Sequence, residues 1–422
     1  MNKTLQDITQ VVSQSAYSDL GNCWHRQFES QVKLTPNAIA LTFKEQQLTY
    51  QELNCRANQL ANYLINLAQT PEIIGIYLER SLLTVAAILG ISKAGSAYLP
   101  LNPNDVPERN NFIIKDASIS LILTQKNIAE DLPLKNNSLV CLDRDWTSIN
   151  SQDTANLNVP TASQDLAYVM YTPGFTNNPE GVMVEHHSVV NLLQALEQDI
   201  YQQYPQSLRI SLNASISSDA SIKQIIQLLK GHNLYIMPEE ERHDLSLMLE
   251  FIETNQLNIL DCTSAYLELL INTGLLTENH SLKAILIRGG ELETQTWNLL
   301  KDIQTIDFYS VYGSTECAVS VATSQITKKQ TKPTIGRSLL HTQIYILDED
   351  LHAVPIGMAG ELYIGGAQIA RGYINNPELT AERFIANPFD VSGSSRLYKT
   401  GDKGRYLSKG NIEYLGQIDA VL

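Results

Sequence analysis

Cysteine, histidine and positive charge are all scarce in this 422-residue chain, and each shortage closes off a class of protein. The five cysteines, Cys23, Cys55, Cys141, Cys262 and Cys317, are widely scattered, with no Cys-x-x-Cys pair and no histidine at metal-ligand spacing. Neither a disulfide framework nor a zinc module is expected, and the five read as reduced core or filler residues. His186 and His187 are chain neighbours, which cannot face one way on a strand or helix, so no metal site is expected there. Lysine and arginine number 30 against 45 aspartates and glutamates, a net charge of −15 that opposes attraction to nucleic acid or an anionic membrane. Long apolar runs are missing too. The best segment, residues 82–101, is broken by Lys93 and two glycines, short of the run of about 18 apolar residues that a membrane helix needs. The opening MNKTLQDITQ has no apolar signal core, so a cytoplasmic location is expected.

What remains is a composition close to that of soluble globular proteins. Apolar residues make up 43% and charged residues 18%. The length exceeds one ordinary core, so two or three subdomains sharing an α/β body are expected. Residues 1–20 are polar and read as a leader or linker. Thr49-x-x-Glu52 is a capping box, and Leu53, Ala57, Leu60, Ala61 and Leu64 follow at helical spacing. A strand over 73–78, a helix over 82–93 closed by Gly95, and strands over 119–123, 139–142 and 166–171 continue the α/β alternation. The polar segment 151–163 reads as a surface connection. From Thr342 the texture changes to short strands with glycine turns, which predicts a small β-rich unit ending near Gly416.

The run YTPGFTNNPEGVMVEH (Tyr171–His186) has the outline of a phosphate-gripping loop: Gly174 and Gly181 for close backbone approach, Thr172 and Thr176 as hydroxyl donors. Further along stand LTYQELNCRANQLA (Leu48–Ala61), KAGSAYLPLNP (Lys93–Pro103), YGSTE (Tyr312–Glu316), GELYIGGAQIARGY (Gly360–Tyr373) and YKTGD (Tyr398–Asp402). In SSDASIKQIIQLLKG, Asp219 and Lys223 are four apart on a predicted helix whose core stripe is Ile222, Ile225, Ile226 and Leu229, so the two should share the rim of one face. Spacing alone also fits a surface ion pair contributing about 0.2–0.5 kcal/mol.

These runs occur in the order found in adenylation domains of nonribosomal peptide synthetases, within the adenylate-forming (AMP-binding) enzymes, and nearly the whole chain resembles that family. The resemblance implies an α/β fold: an N-terminal core of two α/β subdomains with central sheets (about 21–335) plus a small β-rich, barrel-like subdomain (about 336–416). A hinge stub at 417–422 follows. Relatives continue into a mobile lid of about a hundred residues bearing a catalytic lysine, and that lid is expected to be absent here. The implied chemistry is ATP-dependent activation of an amino acid as aminoacyl-AMP, with Mg²⁺, for loading onto the phosphopantetheine arm of a peptidyl carrier protein beside neighbouring synthetase domains.

By resemblance, Thr315 would touch the α-phosphate and Glu316 would bind Mg²⁺, while Tyr312 and Ser310 would lie near adenine. Asp402 and Gln417 would meet the ribose, and Thr172, Gly174, Thr176 and Gly181 the phosphates. Asp219 would hold the substrate ammonium. The pocket positions then fall on Ala220, Lys223, Asp261, Ile287, Gly289, Val311, Val319 and Ser320, a set similar to glutamate-selecting domains. Ser320 departs from the acid often found there.

Other departures point to weak activity. Pro173, Phe175 and Asn177 replace the usual serine, serine or threonine, and glycine of the loop, and Glu180 replaces its lysine. Ser310 stands for an asparagine, Ser314 for a proline and Gln417 for an arginine. At about 4 Å a unit charge pair is worth roughly 1 kcal/mol in water and roughly 4 at an effective dielectric of about 20, so exchanging attraction for repulsion costs roughly 2 to 8 kcal/mol. Two rival readings follow: a degenerate adenylation-like domain with a binding or scaffolding role, or an acyl or aryl acid ligase, which would not need Asp219.

Overall fold

Thr49 starts the first long helix by a reciprocal cap. Its hydroxyl accepts from the Glu52 amide at 3.2 Å, and the Glu52 carboxylate accepts from the Thr49 amide at 2.8 Å. The helix Tyr50–Ile65 then buries Leu53, Ala57, Leu60, Ala61 and Leu64 along one stripe. Against it lies the helix Leu82–Lys93, buried except at Leu83, as suits a segment apolar nearly all round. Gly90 lets the two helices approach closely, since a Cβ there would come within 2.9 Å of Leu60 Cδ2. Lys93 is buried at the end of this helix with its ammonium 2.5 Å from Glu29, so the charge is paired.

The computed structural model describes residues 23–67, 70–134, 138–172, 179–276, 280–289, 292–330, 332–407 and 410–418, so the leader expected over 1–20 lies outside it. The described strands form three sheets. In the nine-stranded sheet the order is 337–338, 322–325, 307–312, 284–288, 259–263, 209–212, 233–236, 39–43, 46–49. Its six inner strands run parallel and both edges are antiparallel. The seven-stranded sheet has the order 372–373, 180–185, 166–172, 97–101, 73–77, 122–124, 139–141. The third sheet is antiparallel and takes its strands from 342–347, 359–366, 384–386, 396–406 and 412–417.

Buried side chains of all three sheets join one continuous core, from Leu41 through Tyr168 to Leu362. A second core, with Met248, Leu267 and Trp297, lies under the helices Leu245–Thr254, Ser264–Thr273 and Thr294–Leu300. The strand expected over 119–123 forms later, over Ile122–Thr124, because Ser118 turns the chain with φ +51°. Gly372–Tyr373 leaves the β-rich segment and pairs with Val182 and Met183 of the seven-stranded sheet. Among the described residues no helix is long and apolar enough to cross a membrane.

Candidate active site

The parallel strands of the nine-stranded sheet deliver their C-terminal ends to one edge, where ligands gather in open α/β sheets. Strand Asp307–Tyr312 ends there and runs into a tight loop. Gly313 allows it, because a Cβ would sit 2.3 Å from the Val319 carbonyl oxygen, and Val321 closes the loop by donating to the Tyr312 carbonyl at 2.8 Å. Ala318 and Val319 take φ of +45° and +79°, costly for residues with a Cβ and frequent where a site is held taut. This loop presents Thr315 and Glu316.

Thr315 donates its hydroxyl to the Asp219 carboxylate at 2.8 Å, so a residue expected on phosphate meets the one expected on the ammonium. Burial raises the Asp219 carboxyl above the ordinary aspartate range, while Thr315, Arg288 and Lys223 pull the other way. Glu316 is buried, and Tyr373 donates to it at 2.9 Å. Burial also pushes this carboxyl up, opposed by its own backbone N–H and the Tyr373 hydroxyl.

On the β-rich side, Tyr312 and Tyr414 donate to opposite oxygens of Asp402, at 2.5 and 3.3 Å, with their rings 5.9 Å apart. Asp402 lies in register with Gln417, whose side chain also hydrogen-bonds it. Beside Tyr414 a recess of about 220 Å³ is lined by Ser310, Thr294, Lys332, Thr334 and Glu413. The structure thus brings together Tyr312, Asp402, Gln417 and, through Tyr414, Ser310.

The hairpin of strands Leu166–Thr172 and Glu180–Glu185 sets Thr172 opposite Glu180 and Tyr171 opposite Gly181. Gly181 is required by packing, since a Cβ would meet Ile374 Cγ2 at 2.6 Å and Tyr171 Cζ at 2.7 Å. Glu180 accepts from Asn376 at 3.2 Å. Gly174 and Thr176 lie outside the described residues.

The helix Ala220–Ile225 carries Lys223, and here the expected rim position is corrected: the Lys223 side chain is only 1% exposed. The expected stripe of Ile222, Ile225, Ile226 and Leu229, continued by the 3-10 helix Ile226–Lys230, packs into the main core, and the ammonium meets one oxygen of the buried Asp261. The surface-pair reading is excluded. Ala220, Val311, Val319 and Ser320 are buried. The Ser320 hydroxyl oxygen has no hydrogen-bond partner among the described residues. Gly289, with φ +77°, is exposed past the end of strand Ala284–Arg288. Ile287 is not brought to this group. It lies in register with Cys262 and packs in the second core, whereas Asp261 lies in register with Leu286, a member of the main core.

Sequence reasoning missed Arg288, Tyr373, Tyr398 and Tyr414. A lone arginine at the end of the apolar strand AILIR was a readable signal; Tyr373 and Tyr398 stood in quoted runs and Tyr414 in the β-rich end, with no marker of role. It also missed a buried trio elsewhere: Cys23, His25 and His186 each bring one potential ligand atom within 4.8 Å of the others. Ser92 lies 2.9 Å from His25 Nδ1, and burial lowers His25 to about 2 and His186 to about 4, keeping both rings neutral.

Comparison with known proteins gives this geometry a context. The family model for AMP-binding enzyme matches residues 28–374. Bacitracin synthase 1 of Bacillus licheniformis is 39% identical over 401 residues, which cover 93% of this chain but 8% of that protein. Tyrocidine synthase 1 of Brevibacillus parabrevis is 38% identical, with 94% of this chain and 36% of that protein covered. The chain thus spans only a part of the length of these relatives. Among solved structures, holo-AB3403, a four-domain nonribosomal peptide synthetase bound to AMP and glycine, superposes with a TM-score of 0.83 at 30% identity, covering 95% of this chain and 29% of that one. The AMPPNP-bound form of the nonribosomal peptide synthetase FmoA3 gives 0.84 at 26%, covering 93% and 42%.

Proposed function

Because the chain belongs to the AMP-binding enzyme family and is homologous to adenylation domains of nonribosomal peptide synthetases, we propose that it activates an acidic amino acid with ATP. Glutamate comes first, ahead of aspartate or a larger acidic analogue. One α-carboxylate oxygen of the amino acid attacks the α-phosphorus of ATP, the bond to the pyrophosphate oxygen breaks, and pyrophosphate leaves with that electron pair. The aminoacyl-AMP then loads a carrier-protein thiol in the complete synthetase. The observation that carries the acidic assignment is the buried Lys223 ammonium beside Asp261 and Asp219. A buried lysine needs an anionic partner, and a substrate carboxylate can share that role with Asp261.

In this reading Asp219 binds the ammonium and exchanges its bond from Thr315 for one to substrate, which frees the Thr315 hydroxyl for the α-phosphate. Asp402, aligned by Tyr312, Tyr414 and Gln417, accepts from the ribose hydroxyls, and the recess at Ser310 receives the adenine edge. Nucleotide binding is supported by the AMPPNP-bound relative. Glu316 fits Mg²⁺: it is a hard oxygen donor, buried, and held in place by Tyr373. Bound there, Mg²⁺ would neutralise charge on the phosphates.

We also infer that turnover is slow, supported by Glu180 in place of a lysine on the phosphate hairpin and Gln417 in place of an arginine beside Asp402. The test is amino-acid-dependent exchange of labelled pyrophosphate into ATP, run with all twenty amino acids. Exchange led by glutamate supports the proposal. Exchange led by a neutral amino acid contradicts it, and absent exchange with intact glutamate binding favours the scaffolding role. Equal binding of glutamate and its des-amino analogue would instead favour an acid ligase.

A further inference from the structure

Lys223 and Asp261 neutralise one another, so the pair alone offers no charge to an incoming acid. The missing charge is supplied by a residue outside the predicted pocket. Arg288 ends the strand Ala284–Arg288, in register with Val311 and two residues beyond Leu286, the register partner of Asp261. Side chains alternate along a strand, so Arg288 projects from the face that carries Asp261 and Val311, opposite to Ile287. Its Nε lies 3.1 Å from Asp261 Oδ1, while Lys223 meets Oδ2. Asp261 is therefore shared between two cations. The Arg288 side chain is 37% exposed, against 5% for Asp261 and 1% for Lys223, so the arginine reaches the buried pair from the open side.

The balance of charge then has a consequence. Asp219 and Asp261 are two anions; Lys223 and Arg288 are two cations. A bound amino acid brings an ammonium for Asp219 and an α-carboxylate that is directed away to the reacting phosphate, which leaves two cations facing one aspartate in the side-chain pocket. That surplus of one positive charge matches one carboxylate on the substrate side chain. Without Arg288, an acidic side chain would enter as an unmatched charge beside an already neutral pair, an arrangement that buried sites do not tolerate. We propose that Arg288 is a specificity-determining positioning residue: by holding Oδ1 of Asp261 it releases the Lys223 ammonium to the distal carboxylate of an acidic amino acid. This rests on the acidic-substrate reading above and adds a residue that reading does not contain.

Calorimetric titration of the whole chain with L-glutamate and with L-glutamine separates the two ideas, because the two ligands differ in side-chain charge but hardly in size. The wild type is expected to favour glutamate by about tenfold or more, the scale of one well-placed charge pair. In Arg288→Gln the glutamate affinity should fall by about tenfold or more while that for glutamine stays within about threefold, so the preference collapses. Arg288→Lys should restore part of it. If Arg288→Gln keeps the wild-type ratio, the inference is overturned and the acidic pocket stands. If the wild type itself shows no preference for glutamate, both fail. Thermal melts of the variants exclude misfolding as the cause, and Arg288→Met, which also removes the cation, decides the matter should Arg288→Gln not fold: a folded methionine variant that loses the glutamate preference supports the inference, and one that keeps the wild-type ratio overturns it.

Discussion

The Thr315 hydroxyl donates to the Asp219 carboxylate at 2.8 Å, which couples the loop expected on the α-phosphate to the residue expected on the substrate ammonium. Burial raises the Asp219 carboxyl and Thr315 lowers it. Only the ionised carboxylate binds an ammonium. Glutamate affinity should therefore fall on acidification at a higher pH than an ordinary aspartate would dictate. Removing the hydroxyl in Thr315→Val should move that midpoint higher still. Titrations between pH 4 and 8 read both; an unchanged midpoint in the variant would break the link.

Glu180 lies at the foot of the hairpin expected to meet the phosphates and accepts from Asn376. Glu180→Lys replaces an anion by a cation near the expected phosphates, so ATP affinity should rise by about tenfold or more at low salt and less at high salt. Nucleotide titration at two ionic strengths checks this. No gain at low salt would mean that the side chain does not face the phosphates.

Gly181 has no room for a methyl group, with Ile374 Cγ2 and Tyr171 Cζ inside 2.8 Å of the Cβ position. Gly181→Ala should destabilise the protein by about 1–3 kcal/mol, the usual cost of overpacking. Denaturant unfolding measures the loss. A neutral substitution would show that the hairpin can shift freely.

Three buried histidines should make the protein acid-sensitive. Burial lowers His25 to about 2 and His186 and His232 to about 4, all from 6.5. Below pH 6.5 the unfolded chain takes up protons that the folded one refuses, so stability falls as pH drops towards 4, by on the order of 1–3 kcal/mol per group. Unfolding midpoints at pH 7.5 and 5 should differ accordingly, and less so in His232→Gln.

Local chemistry made much of the fold legible. The Thr49 cap, the apolar helix ending at Lys93 and the strand Leu166–Thr172 each follow from short-range pattern. The β-rich end was legible from its glycine turns, but its return to the seven-stranded sheet at Gly372–Tyr373 was not, because two residues leave no periodicity. In the site, Asp219, Lys223 and Asp261 could be named from motif order. The burial of Lys223 and the intrusion of Arg288 could not, since sheet register decides which residues of distant strands share a face. The alternation that sends Ile287 to one core and Arg288 towards Asp261 becomes visible only once the neighbouring strand is placed. The trio of Cys23, His25 and His186 was hidden because it forms only where the starts of two helices distant in sequence meet.

The proposed function requires a nucleotide site coupled to a pocket for an acidic side chain. Its most direct test is competitive binding of two stable adenylate mimics, glutamyl- and glutaminyl-sulfamoyl adenosine, which occupy both subsites without turnover. Tighter binding of the glutamyl compound, by about tenfold or more, is the predicted result. Equal binding, or a preference for the glutaminyl compound, would contradict the account.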